Sequence, residues 1–423
     1  MDKKNKAGTL LLILAICCLI YMPEASGNVL KRKRLSGDWK QTRPRIEACG
    51  IFLEAIYTGE LASNVSGGIK KETEYLDNID ILFATDLEKL IEWKGATLFV
   101  YGLGNHGGSP SQHAGDAQTV SNIDATDAWK IYEAWLEQVV FQDRLSVLVG
   151  LYDLNSEFDV IESAGLFLNS SHGIGADYAQ SGENGPSIFP TTSLAARVKV
   201  RPFKHFYIQA AALDGIPGYP DVAHGTHVHL GDGDGTLLTL ETAWFSGVCA
   251  EKNPYIIKAA LGAWYYTGTF DDLFRIDSTG QPKKRSGNHG VYFLLDQTLY
   301  YEKKDPDQKL TAFFRYGIAE SNVNRFNYYI GGGLTYTGLI PNRDADQLGL
   351  AIASAHNGGK YQRAQRQAAT PVKNSETVVE LTYRIQATPW LSLQPDIQYV
   401  FNPDTDRTLD NALVTFIRFE VIF

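Results

Sequence analysis

Glu133, Trp135 and Glu137 alternate along one segment, so in an extended chain their side chains leave the same face, with Tyr132, Leu136 and Val140 on the other. Two planar carboxylates flanking an indole suit a sugar. Carboxylates accept from pairs of hydroxyls, and an aromatic ring covers the flat C–H face of a pyranose. The same alternation in other segments places Asp80, Arg197, Lys199, Glu241, Lys258, Trp264, Arg315, Arg384 and Arg418 on inward faces. Acidic and basic groups opposed across a narrow pore would set its field and hydrogen-bond a permeant. The plainer role for any one of them is to solvate the wall of a lumen.

Other patterns carry less chemistry. Gly102-Leu103-Gly104-Asn105-His106-Gly107 spells G-x-G-x-x-G, but Gly108-Ser109-Pro110-Ser111 follows where a dinucleotide site needs a helix. His224, His227, His229, Asp232 and Asp234 crowd one segment, yet the acidic run lacks the glutamate that closes an EF-hand loop. A polar loop tip is the expectation there, with no metal. No G-x-S-x-G and no nucleophile–base–acid pattern stands out, so neither an enzyme nor a cofactor is expected.

The segments that must position these residues read as strands. Val379, Leu381, Tyr383 and Ile385 oppose Glu380, Thr382, Arg384 and Gln386; Leu393, Ile397, Tyr399 and Phe401 oppose Ser392, Gln394, Asp396 and Gln398. A polar face this regular and this charged fits a water-filled lumen better than a protein core. About sixteen strands are predicted, from 51–61 through 129–141, 145–152 and 194–201 to 412–423. Connections after even-numbered strands are mostly short, and those after odd-numbered strands, such as 104–128, 153–193, 214–235, 268–288 and 356–375, are long. Short periplasmic turns alternating with long external loops are expected of a transmembrane antiparallel β-barrel. Asp86–Trp93 has the spacing of one helical turn within a periplasmic connection. The final strand alternates Ile417, Phe419, Val421 and Phe423 against Arg418 and Glu420. It should close the ring against 51–61, and Phe423 has the character of the signature read by the barrel-assembly machinery.

Lys3, Lys4 and Lys6 precede an apolar run from Leu10 to Tyr21, then Pro23 and Ala25-Ser26-Gly27, the layout of a signal peptide spanning 1–27. The run is short of the ~20 residues a spanning helix needs. Residues 28–50 are basic and irregular, a periplasmic lead-in to a barrel domain at 51–423. Composition, 44% hydrophobic and 12% aromatic, allows a core, and a net charge of −9 argues against a nucleic-acid binder. Cys49 and Cys249 fall nearly opposite each other in a sixteen-stranded ring, so both are expected as free thiols.

Three stretches together resemble the carbohydrate-selective porin family of the OprB type. They are Asp116–Ile123 leading into Tyr132–Gln138, Leu145–Phe158 continuing through Phe167–Ser171 to Ala195–Val198, and Gln209–Gly215 with Pro217-Gly218. The resemblance implies a Gram-negative outer-membrane barrel through which monosaccharides, glucose among them, diffuse passively, with the 153–193 loop folded inward to narrow the pore. It brings Asp153, Asn155, Glu157 and Asn169 into the constriction beside Glu133, Trp135, Glu137, Arg197, Lys199, Arg315 and Arg384. Leu148 stands where family members often carry arginine, which implies a less basic constriction. The expected partners are carbohydrate permeants, outer-membrane lipid and lipopolysaccharide. The alternatives are a general or anion-preferring porin on the same barrel and, from another class, an exported soluble β-sandwich that binds glycans.

Overall fold

A computed structural model of the chain describes residues 29–219, 222, 224–246 and 257–423; the predicted signal segment and Cys249 lie outside them. Sixteen strands follow in order: β1 (Ile51–Ser66), β2 (Thr73–Asp86), β3 (Ala96–Gly107), β4 (Ala128–Val140), β5 (Leu145–Tyr152), β6 (Ser193–Phe203), β7 (Phe206–Asp214) and β8 (Thr236–Ser246). Then come β9 (Ile257–Ile276), β10 (Pro282–Tyr301), β11 (Lys309–Ala319), β12 (Phe326–Thr337), β13 (Gln347–Asn357), β14 (Ser375–Thr388), β15 (Leu391–Phe401) and β16 (Ala412–Ile422). Each pairs antiparallel with its neighbours in sequence, and β16 returns to β1 with Leu61 opposite Ile417 and Glu60 opposite Arg418. Closure is what a hydrocarbon environment demands, because an open edge would present unpaired N–H and C=O groups to lipid.

The alternation explains which surface faces where. Along β15, Leu393, Ile397, Tyr399 and Phe401 are exposed on the outside, while Ser392, Gln394, Asp396 and Gln398 are buried within. On β5, Val147 and Val149 face out and Leu148 packs inward beside Tyr152 and Tyr207. No helix among the described residues is long and apolar enough to cross a membrane.

Three local features differ from the sequence expectation. The β3–β4 ladder shifts register so that Tyr101 faces Glu133 and Gly102 faces Ile131, leaving Tyr132 as the extra residue of a bulge. Tyr132 therefore points inward beside Glu133 and is buried, although strict alternation assigned it to the outer face. Residues 268–288, expected as a loop, are mostly a continuation of β9 and β10 into a hairpin beyond the rim. Residues 29–50 are also more ordered than their composition indicated. They contain a helix at Thr42–Ala48 and pack under the closing seam, where Leu35 N–H donates to Ile422 at 2.8 Å and Arg43 Nη2 to the Phe423 carbonyl at 3.2 Å. Cys49 at the end of that helix is a free, exposed thiol.

The β1–β16 closure can be tested directly. Residues opposite each other in an antiparallel pair have Cα atoms about 4.5–5.5 Å apart, within disulfide reach. Ser63 lies opposite Thr415. A Ser63→Cys/Thr415→Cys variant lacking the native cysteines should oxidise to an internal disulfide, read as a mobility shift on denaturing gels that reductant reverses. Shifting the second cysteine to Phe416 should abolish it.

Candidate functional site

A sixteen-stranded ring encloses more space than its wall side chains can fill, and two connections at the rim opposite the termini enter it. The chain between β5 and β6, 153–192, crosses the lumen and is tied to the wall by its own backbone. Glu241 accepts from Asp159 N–H at 2.9 Å, Glu380 from Leu168 N–H at 2.5 Å and Asn169 N–H at 3.1 Å, and Asp296 from Ser163 N–H at 3.1 Å. Lys258 Nζ donates to the Val160 carbonyl at 2.8 Å and Gln394 Nε2 to the Leu166 carbonyl at 2.7 Å. Tyr178 of the same loop stacks on Trp264, ring centroids 5.0 Å apart. The chain between β3 and β4, 108–127, is gripped similarly: Glu376 accepts from Ala117 N–H at 2.8 Å and Gln118 N–H at 3.0 Å. The two loops also bond to each other, Asn122 N–H to the Leu168 carbonyl at 2.7 Å and Ser170 N–H to the Thr119 carbonyl at 3.0 Å.

These contacts relocate several residues that the alternation had placed on the pore wall. Glu241, Lys258, Trp264 and Arg315 do face inward, but they hold the loop and do not line the passage. Arg315 is 2% exposed and bridges two loop carboxylates, with Nη2 2.6 Å from Asp159 and Nη1 2.6 Å from Asp177. Arg197 sits between Glu157 and Glu137 at 2.7 and 2.8 Å, and Lys199 reaches Glu157 at 3.0 Å. Arg384 pairs with Glu420 at 3.1 Å. Asn169 is buried, capping the turn that follows by accepting from Ser171 N–H at 3.1 Å. His172 lies 3.6 Å from Glu380, but burial pushes its imidazole down to about 3, so the ring is neutral and no ion pair forms.

What remains open is a cavity of about 670 Å³ set to one side of the lumen. Its wall is Thr58 of β1, Asn78 and Asp80 of β2, Tyr101 of β3, Tyr132 and Glu133 of β4, and Arg418 of β16. The loops supply the facing side, including Asn122, Asp124, Asp153, Asn155 and Phe189. Of the residues singled out from sequence, Glu133, Asp153, Asn155, Asp80 and Arg418 therefore meet here. Trp135 supports this group: it stacks on Phe99 with centroids 4.9 Å apart, and its Nε1 donates to Glu133 at 3.0 Å. Glu137 is held by Arg197. Tyr132, Tyr101 and Phe189 supply the cavity's aromatic surface and were missed. Alternation hid the first, and the last lies in a loop with no periodicity to read.

Burial raises the Asp153 carboxyl to about 6, and the Tyr132 hydroxyl donating at 2.7 Å and the Asn155 N–H at 2.7 Å oppose that rise. Elsewhere, Glu72, Glu74 and His113 bring ligand atoms within 4.8 Å of one another, with Lys70 paired to Glu72. In the histidine-rich connection, Tyr219 Oη lies 3.0 Å from His229 Nδ1 and His227 Nε2 2.7 Å from the His224 carbonyl.

The model of the carbohydrate-selective porin family, OprB, matches residues 70–423. The chain belongs to that family. It is an outer-membrane β-barrel porin and not an enzyme. Porin B of Pseudomonas aeruginosa is 27% identical over 425 residues, covering 92% of this chain and 91% of that protein. A putative porin, QuiX, of Acinetobacter baylyi is 21% identical, covering 93% of each. The high-pH structure of Pseudomonas putida OprB shares the fold at a TM-score of 0.82 with 22% identity, over 93% of this chain and 99% of that one.

Arg315 tests the loop anchorage. Breaking a buried ion pair by removing one partner costs about 3–5 kcal/mol, because the other charge is left unpaired. Arg315→Ala should therefore free the 153–192 loop. Single-channel conductance and its noise should rise and the loop should become protease-sensitive, while heat-altered gel mobility still reports a folded barrel.

Proposed function

We propose that this porin admits monosaccharides such as glucose by passive diffusion, and that the cavity between β1–β4, β16 and the two inserted loops is its constriction. One observation carries this reading: the cavity of about 670 Å³ in the lumen is lined by paired hydrogen-bonding groups next to aromatic rings. Asp80, Glu133, Asp153, Asn155 and Arg418 offer carboxylate, amide and guanidinium groups to hydroxyls. Tyr101, Tyr132 and Phe189 offer faces to the ring's C–H groups. Contacts of this kind are individually weak and exchangeable, as flux requires, since a tight site would trap the permeant.

Asn155 has a second task, because its Nδ2 donates to the Phe158 carbonyl at 3.1 Å and the Gly173 carbonyl at 3.2 Å. Glu157, Arg197 and Lys199 act at one remove by fixing the loop's first turn, where Tyr152 Oη also donates to Glu157 at 2.8 Å. Arg197, Lys199, Arg315 and Arg384, which would favour an anion-preferring general porin, are committed to ion pairs.

In planar bilayers, glucose should reduce the single-channel current in a concentration-dependent manner, and liposomes carrying the protein should swell faster in glucose than in a disaccharide of equal osmolarity. Phe189→Ala should weaken the glucose block severalfold with the barrel intact. An ionic current indifferent to glucose, with equal swelling in both sugars, would overturn the sugar reading.

A further inference from the structure

The charge of the cavity is one-sided. Four carboxylates line it, Asp80, Asp124, Glu133 and Asp153, against one guanidinium, that of Arg418. Arg418 is already engaged, ion-paired with Glu60 and donating to the Asn122 side-chain oxygen. The donors that hold the four carboxylates are neutral. Asp80 accepts from the Tyr101 hydroxyl at 2.5 Å, and Asp124 from Ser109 Oγ at 2.8 Å and Ser111 N–H at 3.2 Å. Glu133 accepts from Trp135 Nε1 at 3.0 Å and Asp153 N–H at 3.2 Å, and Asp153 from Tyr132 and the Asn155 amide.

Several other carboxylates in the lumen are instead matched by cations. Glu137 and Glu157 are matched by Arg197 and Lys199, Asp159 and Asp177 by Arg315, and Glu420 by Arg384. Neutral donors orient these carboxylates without bringing a positive charge, so the opening holds an excess of acidic groups over its one guanidinium. A hydroxyl entering there exchanges one neutral hydrogen bond for another. An ammonium gains charge-assisted bonds, and a carboxylate meets only like charge.

We propose that the channel prefers cations and that, among solutes of monosaccharide size, it favours those carrying a protonated amine over neutral sugars and disfavours those carrying a carboxylate. This rests on the cavity being the constriction, and it adds the permeant's charge class to the sugar reading. Asp153 lies among Tyr132 and Glu133 of β4, Tyr101 of β3, Asp80 of β2 and Arg418 of β16. With burial holding its carboxyl at about 6, acidification through that value removes one of the charges, and the cation preference falls as pH drops.

The test uses the purified full-length porin in planar bilayers. Under a KCl gradient the reversal potential should report K⁺ passing severalfold more readily than Cl⁻, and Asp80→Asn/Asp153→Asn should bring the ratio toward one while heat-altered mobility shows an intact barrel. Under bi-ionic conditions glucosamine hydrochloride should show measurable cation permeability, and potassium glucuronate little anion permeability. A K⁺/Cl⁻ ratio of one or below, a ratio unmoved in the double variant, or equal passage of glucosaminium and glucuronate would overturn the proposal. Loss of glucose passage with the K⁺ preference intact would instead sink the sugar reading and leave the charge preference standing.

Discussion

The structure depends on one arrangement: carboxylates on the inner wall accept hydrogen bonds from the backbone of the inserted loops. A loop that leaves water to cross a barrel brings N–H groups that must be satisfied. The wall provides Glu241, Asp296, Glu376 and Glu380 at the heights where those amides arrive. A carboxylate can take several donors at once, and here Glu241 also accepts from the Tyr207 and Tyr292 hydroxyls, each at 2.7 Å. Loop and wall thereby become one body, and the interior of the barrel acquires a core with polar clamps and aromatic packing.

That core is off-centre, and its asymmetry places the open cavity. The 153–192 loop is bound mainly to strands from β6 to β15, so the space left open lies against β1–β4 and β16. The bulge at Tyr132 adds to this side. By inserting one residue it turns both Tyr132 and Glu133 inward, where two-residue alternation would supply only one of them. The hydroxyl of that extra residue then orients Asp153 at the point where the loop begins.

Charge follows the same division. Arginines occupy positions where a loop carboxylate is buried and would be costly alone, as Arg315 does between Asp159 and Asp177. Carboxylates at the opening are held by hydroxyl, indole and amide donors.

Much of this was legible in the residues alone. Period-two alternation located all sixteen strands, the sorting of loop lengths gave their up-and-down order, and the terminal strand from Ala412 identified the partner that closes on β1. Those properties are local, or follow from neighbours in sequence pairing with each other. Alternation also assigned Glu241, Arg315 and Glu380 to the inner face, but an inward side chain ends either on a loop or on open space. Only the path of residues 153–192 across the lumen separates the two outcomes. That path depends on contacts between residues more than a hundred positions apart, as between Arg315 and Asp159. The bulge was invisible for a related reason, since an extra residue in β4 has meaning only against the register of β3. The sequence by itself determined a closed barrel with a polar interior. The tertiary structure decided which part of that interior stays open, because an opening is the space that packing leaves unfilled.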